Sequence, residues 1–126
     1  MTKFVLIALL AMLATGCAST NEAGNKLLNE KQTARRLQQS KYALLDVRTR
    51  QEYDSAHMPD AILIDYKADS FVTSLSQLDK SKKWIVYCRS GKRSDGAASK
   101  MKAAGFKKVF QLSGGMYQWH GKKIKP

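Results

Sequence analysis

Four short apolar runs, Ala43-Leu44-Leu45-Asp46-Val47, Ala61-Ile62-Leu63-Ile64, Trp84-Ile85-Val86-Tyr87 and Lys107-Lys108-Val109-Phe110, alternate with stretches of helical spacing. Runs this short and continuous suit strands buried on both faces, and such strands need intervening helices to cover the sheet. The pattern predicts an α/β domain, a three-layer fold with a mainly parallel central sheet flanked by helices. Helices are expected at 30–39, 50–55, 68–76, 95–104 and 115–120, the first opened by a capping box of Asn29 and Gln32. Trp84, Phe110 and Trp119 read as core aromatics. In parallel sheets, ligands sit beyond the carboxyl ends of the strands, which draws attention to whatever follows Tyr87 and Val47.

Cys88 follows Tyr87 directly and opens the run Cys88-Arg89-Ser90-Gly91-Lys92-Arg93-Ser94. A strand delivers the thiol into a turn whose backbone N–H groups, three cations and following helix N-terminus all favour negative charge. A free cysteine titrates near pH 8.5, and such surroundings lower that value, so Cys88 is expected to be a thiolate nucleophile. Ser90 and Gly91 lack bulk and let the chain curl around a bound group. Ser94 fits a helix N-cap, Ala97, Ala98, Met101 and Ala104 an apolar helix face, and Gly105 a C-terminal stop.

The 126 residues begin with Met1-Thr2-Lys3 and an apolar run from Phe4 to Leu13, too short for a comfortable membrane span and typical of a secretory leader. Ala14-Thr15-Gly16-Cys17 resembles a bacterial lipobox, in which the cysteine is lipidated and becomes the first mature residue. The expected organisation is a signal peptide over 1–16, a lipid-anchored polar tether over 17–26 and one domain over 27–126. Ala18 and Ser19, with no aspartate beside Cys17, resemble a signal for the outer membrane, facing the periplasm. With Cys17 lipidated, Cys88 is the sole thiol, and an unpaired thiol kept in an oxidising compartment favours catalysis over packing.

The Cys88 loop resembles the catalytic loop of the rhodanese family of sulfurtransferases: a cysteine, a short basic and small-residue turn, then an arginine and a serine opening a helix. Leu44-Leu45-Asp46-Val47-Arg48, Glu52-Tyr53 and His57-Met58-Pro59-Asp60-Ala61 resemble that family's strand-and-turn signature. Leu112-Ser113-Gly114-Gly115-Met116 through Trp119 resembles its closing turn. Ala56 and Asp60 depart from the pattern, standing where glycines are common. The resemblance covers about residues 27 to 120 and implies a persulfide on Cys88, with Arg89, Ser90, Gly91, Lys92, Arg93 and Ser94 binding the substrate. It also places Asp46 near the loop as a supporting acceptor. Arg48 and Glu52, four apart, could form an ion pair at the start of the short helix.

The implied reaction takes sulfur from a small anionic donor such as thiosulfate and passes it to cyanide or a thiol, with no cofactor. No second histidine or cysteine stands at ligand spacing, so no metal is expected. Two other readings use the same thiol: a persulfide carrier or binding module without turnover, and a phosphatase or arsenate reductase. Six residues from Cys88 to Arg93, with no acid inside the loop, argue against the last. The formal charge of +12 favours anionic partners or an anionic membrane surface. Nucleic acid is not expected as a partner of a secreted chain.

Overall fold

The computed structural model describes residues 18–126, so the leader and Cys17 lie outside the described residues. Among the described residues six strands form one sheet: β1 Ser19–Thr20, β2 Lys26–Leu28, β3 Tyr42–Asp46, β4 Ile62–Leu63, β5 Lys83–Tyr87 and β6 Val109–Leu112. Their order is β1-β2-β6-β5-β3-β4, and only the β1–β2 pair is antiparallel. The helices are α1 Glu30–Leu37, α2 Arg50–Ser55, α3 Phe71–Ser74 and α4 Lys92–Ala103, with 3-10 turns at Leu75–Gln77 and Gly115–Gln118. The expected α/β architecture is therefore present.

Side-chain alternation divides the core between the two sheet faces. On one face Leu45, Val86, Cys88 and Val109 pack with Phe71, Ala97, Ala98 and Met101 of α3 and α4. On the other, Leu44, Ile85, Tyr87, Phe110 and Leu112 pack with Leu28, Met58 and Trp119. The three expected core aromatics are all buried. Both indoles find carbonyl acceptors, Trp84 Nε1 at Asp79 O (2.9 Å) and Trp119 Nε1 at Lys122 O (3.0 Å).

The chain leaves β3 toward β4 at one sheet edge and leaves β5 toward β6 on the other side. The carboxyl ends of adjacent β3 and β5 thus form the switch point of this sheet, where a crevice opens. Cys88 and the Asp46–Arg48 segment sit there.

Several elements differ from expectation. The polar segment expected as a tether enters the sheet from Ser19, with β1 folded onto β2 and β2 paired to β6. Asn21 and Asn25 bind the Asp95 carboxylate, so the folded domain starts well before residue 27. Strand β6 begins at Val109 because Lys107 and Lys108 are exposed and only lead into it. Helix α4 starts at Lys92, with Gly91 and not Ser94 at its N-cap. The expected helix over 68–76 is four residues of α3 continued as a 3-10 turn. Asp60 holds φ 63, the one positive value outside glycine among the described residues. Aspartate tolerates that left-handed geometry, which explains how the turn survives without the common glycine.

Candidate active site

The capping box of α2 begins the site. Thr49 Oγ1 accepts from the Glu52 N–H at 3.2 Å while Glu52 Oε2 accepts from the Thr49 N–H at 2.9 Å, and this fixes the Glu52 carboxylate at the crevice. Arg93, in the first turn of α4, meets it through two parallel bonds of 2.8 and 2.9 Å. This fork-to-fork geometry is the strong form of an ion pair. Arg93, chiefly through its hydrogen bonds, holds the Glu52 carboxyl down to about 2. Glu52 does not form the ion pair with Arg48 that their spacing allows, because Arg48 lies ahead of α2, not on it.

Arg48 turns back to Asp46. Its Nε and Nη2 reach the Asp46 oxygens at 3.0 and 2.7 Å, and its backbone N–H donates to Oδ1 at 2.9 Å. Asp46 is fully buried, and this pairing keeps its charge compensated. Asp46 therefore accepts from Arg48 and not from the Cys88 loop, which corrects its expected supporting role. It acts one step away, by fixing Arg48, whose Nη2 also donates to Ala56 O at the end of α2.

Cys88 Sγ sits at the base of the loop, 3.0 Å from the Gly91 N and 3.5 Å from Ser94 Oγ, with the residue 1% exposed. Burial pushes the thiol up, but hydrogen bonds from the Ser94 hydroxyl and from the N–H groups of Ser94, Gly91 and Ser90 outweigh it, and the net shift is downward. The cradle depends on Gly91, whose φ of 119 turns its N–H inward while starting the helix. Gly115 is required for a different reason. Its φ is 59, and a Cβ there would overlap the Cys88 carbonyl, because Met116 N and Tyr117 N donate to the Cys88 and Arg89 carbonyls at 2.9 and 3.1 Å. The Gly114-Gly115 turn thus clamps the start of the nucleophile loop.

The expected loop residues separate into two groups. Gly91 and Ser94 face the sulfur, whereas Arg89, Ser90 and Lys92 are exposed around the mouth. Arg89 and Lys92 form no ion pair among the described residues. Arg93 was expected on the substrate, but its guanidinium is occupied by Glu52. A cavity of about 640 Å³ lies over the loop, lined by Thr49, Glu52, Tyr66, Lys67, Arg89, Ser90, Lys92 and Arg93. Lys67 and Tyr66 carry no sequence signal, since only the fold brings them to this mouth. A larger cavity of about 770 Å³ touches no loop residue and no cysteine, so the thiol chemistry belongs to the smaller one. Among the described residues no cluster of metal-ligating side chains occurs.

The family model for the rhodanese-like domain matches residues 29–122. This chain belongs to that family. The rhodanese-like domain is 31% identical over 86 residues to the thiosulfate sulfurtransferase GlpE of Pseudomonas savastanoi pv. phaseolicola (strain 1448A / Race 6), covering 68% of this chain and 79% of the relative. It is 38% identical over 79 residues to YrkF of Bacillus subtilis (strain 168), named for sulfur carriage, covering 63% of this chain but 42% of that relative. The chain therefore spans less than half the length of YrkF. The crystal structure of a rhodanese-like domain protein from Staphylococcus aureus superposes with a TM-score of 0.68 at 26% identity, over 77% of this chain and 93% of that one. The fold and the family expected from the sequence are thus shown; sulfur transfer is named for GlpE and sulfur carriage for YrkF.

Proposed function

We propose that this rhodanese-like domain transfers sulfane sulfur through a persulfide on Cys88, taking it from thiosulfate or a similar anion. The observation that carries this reading is a buried thiol, 3.0 Å from the Gly91 N, at the base of a mouth edged by Arg89, Lys92 and Lys67. The Cys88 thiolate attacks the outer sulfur of thiosulfate, the S–S bond breaks, and sulfite leaves with the bonding electron pair. The terminal sulfur of the persulfide then carries the negative charge, facing the loop N–H groups. Cyanide or a thiolate attacks that sulfur, and Cys88 returns as the thiolate. Arg89 and Lys92 bind the donor anion, while Arg93 acts through Glu52 to hold α4 and the loop against α2.

A phosphatase or arsenate reductase is disfavoured by the loop and also by Asp95. Its Oδ1 accepts from Asn21, Asn25 and Gln111, so the nearest carboxylate after the loop is engaged elsewhere. A sulfur carrier that loads but does not turn over remains the second reading, supported by the similarity to YrkF.

Incubation with thiosulfate should add one sulfur atom to Cys88, and cyanide should remove it as thiocyanate in steady turnover. Cys88→Ser should do neither, and turnover in that variant would overthrow the nucleophile. Loading without turnover would favour the carrier.

The proposal includes a lipid on Cys17 and a position facing the periplasm, with the outer membrane favoured. Since β1 begins at Ser19, an anchored domain would lie close to the membrane surface and not on a long tether. Full-length protein should then fractionate with membranes, and Cys17→Ser should be soluble or unprocessed. Wild-type protein recovered unlipidated from the soluble periplasm would refute the anchor.

A further inference from the structure

Behind the nucleophile runs a chain of side-chain hydrogen bonds that no step of the sulfur transfer uses. Ser94 Oγ lies 3.5 Å from Cys88 Sγ, 3.0 Å from Gln111 Oε1 and 2.9 Å from the Gly91 carbonyl oxygen. Gln111 Nε2 donates to Asp95 Oδ1 at 2.8 Å, and the same oxygen accepts from Asn21 Nδ2 at 2.5 Å and Asn25 Nδ2 at 2.6 Å. Ser94 and Gln111 are 0% and 2% exposed, so water is a poor substitute for any partner here.

The donor and acceptor inventory decides how this chain works. A carboxylate only accepts, so Asp95 fixes the Gln111 NH2 group toward itself and leaves Oε1 facing Ser94. The Gly91 carbonyl is likewise an acceptor only, and Ser94 has a single hydroxyl proton. With Cys88 as a thiol, the S–H donates to Ser94 Oγ and the Ser94 proton goes to Gln111 or Gly91. With Cys88 as a thiolate, the Ser94 proton turns to Sγ; the Gly91 carbonyl keeps the Asp95 N–H at 3.0 Å, but Gln111 Oε1 is left facing an oxygen with no hydrogen between them. Leaving a buried acceptor unmade is costly.

We infer that Gln111 is a positioning residue which competes with the thiolate for the Ser94 hydroxyl proton and so limits how far that hydroxyl favours ionisation of Cys88. The loop N–H groups of Ser90, Gly91 and Ser94 pull the other way, toward the anion. This inference rests on Cys88 as the reactive thiol of the proposed function, and it adds a consequence. Once Sγ is bonded to a terminal sulfur it no longer carries the charge, and the Ser94 proton is free to return to Gln111. The amide therefore favours the sulfur-loaded state over the empty thiolate. Asn21 and Asn25 extend this control to the N-terminal hairpin, since they hold the Asp95 carboxylate that orients the amide.

The charged groups around the loop are Arg89 and Lys92 on the loop and α4, Lys67 across the mouth, the Arg93–Glu52 pair from α4 and α2, the Asp46–Arg48 pair at the end of β3, Asp95 on α4, and Asp65, whose charge acts on Arg93. Arg93 chiefly through its Glu52 bonds, and Arg48 through Asp46 against the opposing effect of burial, are raised from their ordinary values. Glu52 and Asp95 are lowered, by Arg93 and by Asn25 respectively. These four do not change charge where a thiol titrates, so a shift in the Cys88 profile on substitution of Gln111 reports the hydroxyl.

The test is the pH dependence of iodoacetamide alkylation at Cys88 in the full chain, read by mass spectrometry, which needs no sulfur donor. Gln111→Leu removes the acceptor, and the midpoint should fall by about half to one pH unit, the worth of one neutral hydrogen bond. Gln111→Met is the second variant should Leu disturb folding, and it should act in the same direction. In a Ser94→Ala background the same Gln111 substitutions should leave the midpoint unchanged, because the amide acts only through that hydroxyl. A midpoint that stays or rises in folded Gln111 variants, or that falls equally without Ser94, overturns the inference. Failure of wild-type protein to form a persulfide would instead count against the proposed sulfur transfer and leave this result standing.

Discussion

Glu52 links three parts of the chain through two carboxylate oxygens: the N-terminus of α2 through Thr49, the first turn of α4 through Arg93, and the mouth over Cys88. Its folded-state value of about 2 lies below the ordinary 4.5, with the Arg93 hydrogen bonds as the first cause. The ionised carboxylate therefore stabilises the fold fully above about pH 5, and that contribution is lost as pH falls toward 2. The pair is partly solvated, so we expect about 1–3 kcal/mol from it. The stability difference between pH 6 and pH 3, taken from urea unfolding, should shrink in Glu52→Gln by roughly half of that amount, since pH 3 still lies above the folded-state value, and an undiminished acid loss would place the linkage elsewhere. Arg93→Lys should not rescue Arg93→Ala, because an ammonium cannot form the two parallel bonds. At this scale the sequence revealed what is local: Cys88, the inward turn at Gly91 and the basic mouth all lie within one loop. The partners of Arg93 and Ser94 were not legible, since Glu52 is 41 residues and Gln111 is 17 residues distant, and only the sheet brings them together.

Among the elements, α1 and α2 were the most legible, because capping boxes and helical spacing are written in neighbouring residues; α2 occupies the expected 50–55 and α1 ends two residues early at Leu37. The N-terminal hairpin was the least legible. Ser19–Thr20 is polar and exposed and Lys26–Leu28 is only three residues long, so neither carries a strand pattern. Their place comes from pairing with β6 and from Asn25, which is 2% exposed and donates to both Asp95 and Ser99. A chain that starts at Leu27, the boundary suggested by composition, loses β1, the first residue of β2 and both asparagines. Compared with a chain starting at Ala18, it should melt several degrees lower, since removal of hydrogen bonds to a charged acceptor costs about 1.5–3 kcal/mol each before any lost packing. Asn25→Ala alone should produce a measurable part of that drop. Equal melting temperatures would mean that the hairpin only rests on the sheet.

At the scale of the whole molecule, the described cations of this basic chain include some with structural contacts and some that face solvent near the mouth. Lys80 donates to Ala104 O at the end of α4, where the helix dipole is negative, and also lies 5.5 Å from the Phe106 ring. Lys100 lies over Tyr66, Lys83 over Tyr42, and Lys26 and Arg36 over Phe110, each covering the edge of an aromatic cluster. Such cations shield the core. Arg89, which lies 5.1 Å from the Tyr117 ring, and Lys92 both line the cavity at the Cys88 loop without an anionic partner among the described residues. If local charge binds the donor, Lys92→Ala should lower kcat/KM for thiosulfate by roughly fivefold, the worth of about 1 kcal/mol for an exposed charge-assisted contact. Lys123→Ala, in the tail, should change it little. Raising salt from 0.1 M to 1 M shortens the screening length from about 10 Å to about 3 Å and should weaken wild-type turnover, with a smaller effect in Lys92→Ala. Equal losses in the two variants, with equal salt slopes, would assign the electrostatics to the net charge of the protein and remove Lys92 from the donor site.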